Sequence, residues 1–202
     1  RELADIVHRL DDTRPVTSAL SFPELSNYTG FADALDCSGY NYRERFYEED
    51  HARWPDRVIL GSENSHDPRC WYAVRDHAYI SAQFLWTGID FLGECRGWPV
   101  RISQAGMLDL AGFEKPLFAQ RKALWRKEPF AAIAAGRQED GRDTAFRWQG
   151  VPGEKQYVFC FTNEAEVELF LNDVSMGRKR LTDEDGCRAC WEVPFAPGTL
   201  RA

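Results

Sequence analysis

The sequence predicts an α/β region followed by an all-β region, and two observations carry that prediction. Over residues 1–127, short apolar runs alternate with segments of helical periodicity, a pattern typical of parallel strands covered by helices. After Pro129 the pattern changes to alternation of apolar and polar side chains, which is typical of antiparallel strands. We therefore expect two domains, over 1–127 and 128–202, with a boundary near residues 127–130.

The first region contains enough alternating elements for half of a (β/α)8 TIM barrel. Leu3, Ile6, Val7 and Leu10 share one face of its first helix. A complete barrel has eight parallel strands in about 250 residues, and only four strands are recognisable here. The predicted strands cover 16–20, 37–42, 58–62 and 79–86, the predicted helices cover 2–10, 43–53, 68–77 and 115–126, and a glycine-rich loop covers 87–112.

The second region has the period-two pattern of a β-sandwich. Apolar residues alternate along 157–162 and again along 166–171, and Asn172-Asp173 then gives a tight-turn signal. Trp191 and Val193 flank Glu192 in a further strand. Short strands at this spacing predict an antiparallel sandwich. About five strands are recognisable, so we expect the sandwich to be incomplete.

Composition and charge exclude several classes of partner. The chain has 202 residues, 44% hydrophobic and 28% charged, which is ordinary for a globular protein. Its net charge is −7 and it has no basic run, so we expect no nucleic-acid partner. No apolar run is long enough to span a membrane. Seven Trp residues suit either a carbohydrate site or a packed core. The first residue is Arg, so we expect the chain to be a piece of a longer protein.

The cysteines predict free thiols rather than a metal site or a disulfide framework. The spacing of the six cysteines is irregular, and Cys187 and Cys190 have no second pair or nearby His that would complete a zinc set. We expect no metal and no cofactor. The compartment stays open, with a periplasmic or secreted location favoured over a cytoplasmic one.

The stretch Arg57–His66 carries the first indication of chemistry. Val58–Leu60 is an apolar run typical of a buried strand, and Glu63 follows where the strand ends. Asp67-Pro68 then predicts the start of a helix. In parallel α/β folds, catalytic residues lie at the carboxyl ends of strands. Glu63 is therefore a candidate catalytic residue, and an ordinary surface glutamate is the alternative.

Several segments, in this order along the chain, resemble glycoside hydrolase family 2. The run Ile-Leu-Gly-Ser-Glu-Asn-Ser-His at 59–66 resembles the nucleophile segment of that family, as does the run at 83–94. The segments at 8–17 and 39–42 look like those around barrel strands five and six. Segments in 168–198 are similar to the immunoglobulin-like domain that follows the barrel in bacterial β-galactosidases of the family. The resemblance implies the C-terminal half of the barrel, strands five to eight, followed by an immunoglobulin-like β-sandwich.

This resemblance implies a retaining β-galactosidase that uses two carboxylates. Glu63 matches the nucleophile. The acid/base glutamate of the family would lie before Arg1, and this sequence does not contain it. We therefore expect the isolated chain to be inactive. Its expected partners are a β-galactoside and the rest of its own polypeptide, and a homo-oligomer stays open.

The resemblance also implies substrate-binding roles, each with a structural alternative. His66 matches a sugar-contacting histidine, or else caps a helix. A tyrosine at 42 or 40 would hydrogen-bond the nucleophile, although core packing is the stronger reading for Tyr40. Trp86 matches the floor under the sugar, with a cis peptide after it, or else is a core residue. The remaining candidates are Asn41, which should point away from both tyrosines, and Asp90 and Glu94, which bind sugar hydroxyls or only cap and pair.

Other functions stay open beside β-galactoside hydrolysis. A β-glucuronidase or β-mannosidase of the same family is one alternative. A glucuronidase needs basic residues near the carboxylate of its sugar, and after Trp86 only Arg96 and Arg101 are close in sequence. A non-catalytic carbohydrate-binding or structural piece is the other alternative, for which an exposed aromatic strip including Phe170 would be evidence.

Overall fold

The computed structural model describes residues 1–141 and 143–202. The described chain is mostly strands with few helices. It forms two compact units, Arg1–Trp86 and Thr87–Ala202. The domain boundary predicted between residues 127 and 128 remains a prediction, because these units describe compactness and do not test domain boundaries.

A parallel four-stranded sheet forms the centre of the first unit. Its strands lie in chain order, β1-β2-β3-β4, and all neighbours are parallel. This order agrees with the predicted strand–helix alternation. The strands are β1 Thr17–Leu20, β2 Cys37–Asn41, β3 Val58–Asn64 and β4 Ile80–Leu85, and the helices are α1 Glu2–Leu10, α2 Pro23–Tyr28, α3 Tyr47–Arg53 and α4 Pro68–Arg75.

The core of this unit is small. Tyr40, Tyr47, Ile59 and Ile80 form its buried cluster. The apolar face predicted for α1 exists, but it is not covered: Leu3 is 79% exposed and Leu10 is 83% exposed. Leu20, at the end of β1, is buried.

The second unit begins with the segment predicted to be an irregular loop. It contains a short antiparallel hairpin of β5 Phe91–Leu92 and β6 Ile102–Ser103. The helix α5 Pro116–Trp125 follows and agrees with the predicted helix.

Two three-stranded antiparallel sheets make up the rest of this unit. One has the order β11-β8-β7 and the other β10-β9-β12. Val158 and Trp191 of the first sheet and Leu169 of the second belong to one buried cluster, so a core lies between the sheets. The strands are β7 Ala131–Gly136, β8 Lys155–Thr162, β9 Glu166–Leu171, β10 Val174–Arg180, β11 Arg188–Pro194 and β12 Leu200–Arg201.

The helix α5 packs on the sheet formed by β7, β8 and β11. Ala119 and Ala123 of the helix share a buried cluster with Phe159 and Phe161 of β8. The small alanine side chains let the helix approach the aromatic rings closely. This contact explains why α5, predicted to belong with the parallel region, lies in the same compact unit as the antiparallel sheets.

Three further properties of the described residues bear on partners and cofactors. No helix in residues 1–141 and 143–202 is long and apolar enough to cross a membrane. In the same residues, no group of three or more His, Cys, Asp or Glu side chains is arranged to hold a metal ion. The six cysteines are free thiols.

The exposed apolar face of α1 and the outer strands of the parallel sheet predict self-association of the isolated chain. Unpaired strand edges recruit other strands, and exposed apolar faces add to that tendency. At micromolar concentration, light scattering should give a mass above the 23.2 kDa monomer. Leu3→Glu with Leu10→Glu should reduce the mass, whereas Val174→Glu, at a position 62% exposed on β10, should not. A sharp monomer peak from the unmodified chain would contradict this expectation.

Candidate active site at the end of the third strand

Glu63 lies at the carboxyl end of β3, as the sequence predicts. Its Cα is paired in register with that of Asn41, and its carbonyl oxygen accepts a hydrogen bond from the Tyr42 N–H at 2.8 Å. The backbone on both sides is therefore fixed by the sheet. The side chain is half-buried, and within the described residues its carboxylate makes no hydrogen bond or ion pair. It is a fixed acceptor that remains available to another group.

The next residue, Asn64, holds the end of β3 in place through buried hydrogen bonds. Its side chain is fully buried, and its Nδ2 donates to the Glu44 carboxylate and, at 3.5 Å, to the Tyr47 hydroxyl. Burial raises the pKa of Tyr47 to about 12, so its hydroxyl stays neutral at ordinary pH. Asn64 Oδ1 is buried without a hydrogen-bond partner among the described residues. Such an atom costs about 1–3 kcal/mol, so packing must hold this amide in place.

Gly61 provides the space for that amide. A Cβ atom at this position would lie 1.8 Å from Asn64 Oδ1 and 2.8 Å from the Tyr47 hydroxyl oxygen. No side chain can occupy that space without displacing Asn64. Packing therefore requires a glycine at position 61, because the Asn64 amide lies in close contact with the strand backbone there.

The three candidates at the end of β2 have different surroundings. Tyr40 is fully buried, and its hydroxyl donates to Asp50, so its side chain lies in the core. Burial and the neighbouring Asp50 raise its pKa. Asn41 is half-buried, and its Oδ1 accepts from Ser62 Oγ at 3.3 Å. Tyr42 leaves the strand with a φ of 54° and is 38% exposed. Of the two tyrosines, Tyr42 is bonded through its backbone to Glu63, whereas Tyr40 has the core position.

The loop after Glu63 leads directly into α4. His66 is half-buried in this loop. Asp67 caps the helix by accepting from the Arg69 N–H at 2.8 Å, as predicted. Ser65 Oγ lies 3.3 Å from Cys70 Sγ, and burial raises the pKa of that thiol to about 11. Cys70 is therefore a neutral packing group at ordinary pH rather than a nucleophile.

Trp86 follows β4 at the same edge of the parallel sheet as Asn64. Its N–H donates to the Asn64 carbonyl at 3.0 Å, and its side chain is 37% exposed. This exposure differs from that of a core tryptophan. The expected cis peptide after Trp86 is wrong, because the cis bond in the described residues is Trp98–Pro99.

Asp90 and Glu94 lie in the second unit. Asp90 is 6% exposed, and its Oδ1 accepts from the Gly106 N–H at 2.9 Å and from Lys115 Nζ at 2.8 Å. These contacts match the pairing alternative for Asp90, since they fix the loop over 87–115. Glu94 is exposed, has a φ of 43°, and lines a cleft of about 470 Å³ with Arg96.

Sequence reasoning missed the residues that hold the strand end. Glu44 and Tyr47 lie in a segment predicted only as helix-compatible, and Asn64 was not singled out. Glu44 begins a 3-10 turn, Glu44–Phe46, that directs its carboxylate toward β3. The contact joins residues twenty positions apart, so no local pattern could reveal it. A charged side chain at a helix start gave no distinguishing signal.

The chain is similar along its whole length to a known enzyme. It is 29% identical over 250 aligned residues to the β-galactosidase BoGH2A of Bacteroides ovatus, covering 100% of this chain and 28% of that protein. A putative β-glucuronidase of Formosa agariphila is 32% identical over 142 residues, or 65% of this chain and 12% of that protein. This chain thus spans less than a third of the curated relatives that it matches.

Solved structures agree with these relatives. A glycosyl hydrolase family 2 member from Bacteroides cellulosilyticus superposes with a TM-score of 0.87 at 33% identity, over 98% of this chain and 27% of that one. The chain is a homologue of glycoside hydrolase family 2 enzymes. This chain also shares its fold with a Bacteroides uniformis β-glucuronidase. The TM-score is 0.73 at 23% identity, over 97% of this chain and 27% of that one. The protein-family model described as a domain of unknown function, DUF4982, matches residues 153–202 of this chain.

Gly61→Ala should lower the free energy of unfolding of this protein by about 1–3 kcal/mol, because the new methyl group overpacks against the Asn64 amide. Thermal unfolding measures the effect. Gly88→Ala is the matched control, since a Cβ there would meet nothing within 4 Å. Adding Asn64→Ala should recover part of the loss due to Gly61→Ala. Equal melting temperatures for the two glycine variants would show that the close packing has been misread.

Proposed function

We propose that this chain is the nucleophile-bearing part of a retaining glycosidase that hydrolyses terminal β-galactosides. The observation that carries the proposal is the Glu63 carboxylate. It lies at the carboxyl end of a parallel strand, its backbone is fixed on both sides, and it has no partner in the described residues. The similarity to a β-galactosidase along the whole chain supports the choice of substrate.

The proposed architecture is the C-terminal half of a (β/α)8 barrel followed by an immunoglobulin-like sandwich. The chain order of the four parallel strands supports the first part, because neighbouring barrel strands are consecutive in sequence. The common core between two antiparallel sheets supports the second part. The strands supplied by the rest of the polypeptide would close the barrel.

In the proposed reaction, the Glu63 carboxylate attacks the anomeric carbon as the leaving-group oxygen receives a proton from a second carboxylic acid. Retaining enzymes hold the two groups about 5 Å apart. The C–O bond to the leaving group breaks as the ester bond to Glu63 forms. Water, deprotonated by the second group, then attacks the same carbon and releases Glu63. That second group belongs to the rest of the polypeptide, so the isolated chain should not turn over substrate.

The remaining candidates have binding roles in this proposal. Tyr42, whose N–H is already bonded to the Glu63 carbonyl, contributes its hydroxyl near the nucleophile. His66 contacts the sugar from the loop after β3. Asn41 is a further substrate-binding candidate. It lies opposite Glu63 on the neighbouring strand, and its side chain accepts a hydrogen bond from Ser62. Glu94 keeps its proposed contact with substrate hydroxyls, whereas Asp90 has a part in holding its loop.

A β-glucuronidase is the second candidate. The similarity to a putative β-glucuronidase over 142 residues favours it, and so does the presence of Arg96 in the cleft beside Glu94. Arg101, the other basic residue of this loop, lies 4.7 Å from the Trp98 ring centroid. Comparing nitrophenyl galactoside with nitrophenyl glucuronide on the full polypeptide separates the two candidates.

A covalent trap tests the nucleophile. A 2-deoxy-2-fluoro-β-galactoside should inactivate the full polypeptide and leave a glycosyl ester that peptide mass spectrometry locates on Glu63. Glu63→Gln should abolish labelling, and Glu49→Gln, at an exposed position on α3, is the matched control that should keep it. Recovery of the label on any other residue would overturn the assignment of Glu63.

Trp86 gives an independent test of the proposed sugar site. Because its ring is partly exposed, Trp86→Ala in the full polypeptide should raise KM and lower kcat while changing the melting temperature little. A buried core tryptophan would behave differently, since large core truncations cost about 3–5 kcal/mol. Unchanged kinetic constants with a strongly lowered melting temperature would remove Trp86 from the sugar site.

A further inference from the structure

A polar cavity lies in the antiparallel part of the chain, and none of its described lining residues has a role in the proposed reaction. It has a volume of about 320 Å³ and is surrounded by the end of β7, the segment 147–151 and the start of β8. Every lining residue that the structure describes lies within the unit Thr87–Ala202. The cavity is therefore a property of that unit alone.

The cavity contains a buried amide without a protein partner. Gln156, on β8, is 3% exposed and lines the cavity. Its side chain makes no hydrogen bond to any residue in 1–141 or 143–202. Its polar atoms are not fully enclosed by protein, so the amide borders the open space of the cavity. A ligand in the cavity would supply the missing partner.

Two arginines place guanidinium donors on the wall of the cavity. Arg137 and Arg147 line it, and within the described residues neither guanidinium forms an ion pair. The cavity also has two carboxylates, but both accept from backbone N–H groups. Asp143 Oδ2 accepts from Arg137 N at 2.9 Å, and Glu154 Oε2 accepts from Val151 N at 3.4 Å.

The wall of the cavity is held in place by the same backbone contacts. Ala135 and Ala145 exchange two backbone hydrogen bonds of 3.0 Å, which continues the sheet beyond β7. A Cβ atom on Gly136 would lie 2.6 Å from Asp143 Oδ1, so the carboxylate packs directly on the glycine. These contacts fix the backbone at Gly136 and Arg137 within the unit itself.

We propose that this cavity binds one acidic sugar unit, with its carboxylate on Arg137 and Arg147 and its hydroxyl groups on Gln156 and Gln149. Guanidinium groups match carboxylate geometry with paired hydrogen bonds. The volume is near the lower end of the roughly 300–1,000 Å³ range of ligand sites, which suits a monosaccharide. The choice of a sugar rests on the proposed function, whereas the preference for an anion rests on the unpaired guanidiniums.

Ligand-observed NMR on the full polypeptide tests the site with free glucuronate. We expect saturation transfer to glucuronate that falls in the double arginine variant below, whereas any transfer to galactose from the proposed active site should be the same in both proteins. Arg137→Gln with Arg147→Gln should weaken glucuronate binding by about tenfold or more, because hydrogen bonds to charged groups contribute strongly. Arg180→Gln is the matched control, since that side chain is 85% exposed on β10, and it should bind as the unmodified protein does.

The outcomes distinguish this site from the proposed active site and from a simple anion site. Glucuronate held at the active site would be insensitive to the double arginine change, and that result would overturn the proposal. Displacement of glucuronate by an equal concentration of inorganic sulfate would overturn the assignment of a sugar. Turnover by Glu63 is not part of the readout, so failure of the nucleophile assignment leaves this test intact.

Gln156→Leu provides a test in which the melting temperature and glucuronate binding should respond differently. If the amide has no protein partner, replacing it with an apolar side chain of similar size should leave the melting temperature unchanged or raise it, while glucuronate binding falls. A lowered melting temperature with unchanged binding would mean that the amide serves the fold, and the proposal would be wrong.

Discussion

The buried amide of Asn64 is the constraint on which the candidate site depends. It fills the space above Gly61, and it donates to Glu44 and Tyr47. Because Asn64 follows Glu63 directly, these contacts fix the backbone from which the carboxylate projects. Catalysis by a nucleophile demands accurate positioning, and a side chain on a regular strand with a packed neighbour meets that demand better than a mobile loop would.

A second buried polar group stabilises the neighbouring strand. Asp50, on α3, accepts from the Tyr40 hydroxyl and from Asn27 Nδ2 at 3.0 Å, and Arg57 lies 4.0 Å from it. The carboxylate is 5% exposed, so its donors replace the water that it loses. Tyr40 thus links β2 to the helices, while Tyr42, two residues later, remains at the open edge. The alternation of strand side chains is interrupted by the positive φ of Tyr42, which changes the direction of that residue.

Sequence patterns predicted the elements that have a clear local signal and missed those that have none. The four parallel strands and the Asn172-Asp173 turn, both of whose residues have positive φ, follow known local preferences. β7 was missed because four of the six residues in Ala131–Gly136 are alanine and the segment shows no alternation. β10 was indicated only by the turn before it, because most of Val174–Arg180 is exposed and its burial shows no alternation.

The same distinction applies to the candidate site. The position of Glu63 follows from a general property of parallel sheets, so the end of an apolar run was enough to predict it. The Glu44–Asn64 contact depends on how a turn after β2 meets the end of β3, which is decided by tertiary packing. The role of Asp90 depends likewise on Lys115, which lies far along a loop with no periodic signal.

The packing of α5 against Phe159 and Phe161 has a consequence for how such proteins evolve. The break in sequence pattern comes after this helix, yet the aromatic surface that the helix covers lies beyond the break. A recombination event at the break would transfer the antiparallel sheets with two uncovered phenylalanines. Domain exchange among relatives would therefore be tolerated only where the inherited segment begins ahead of Pro116.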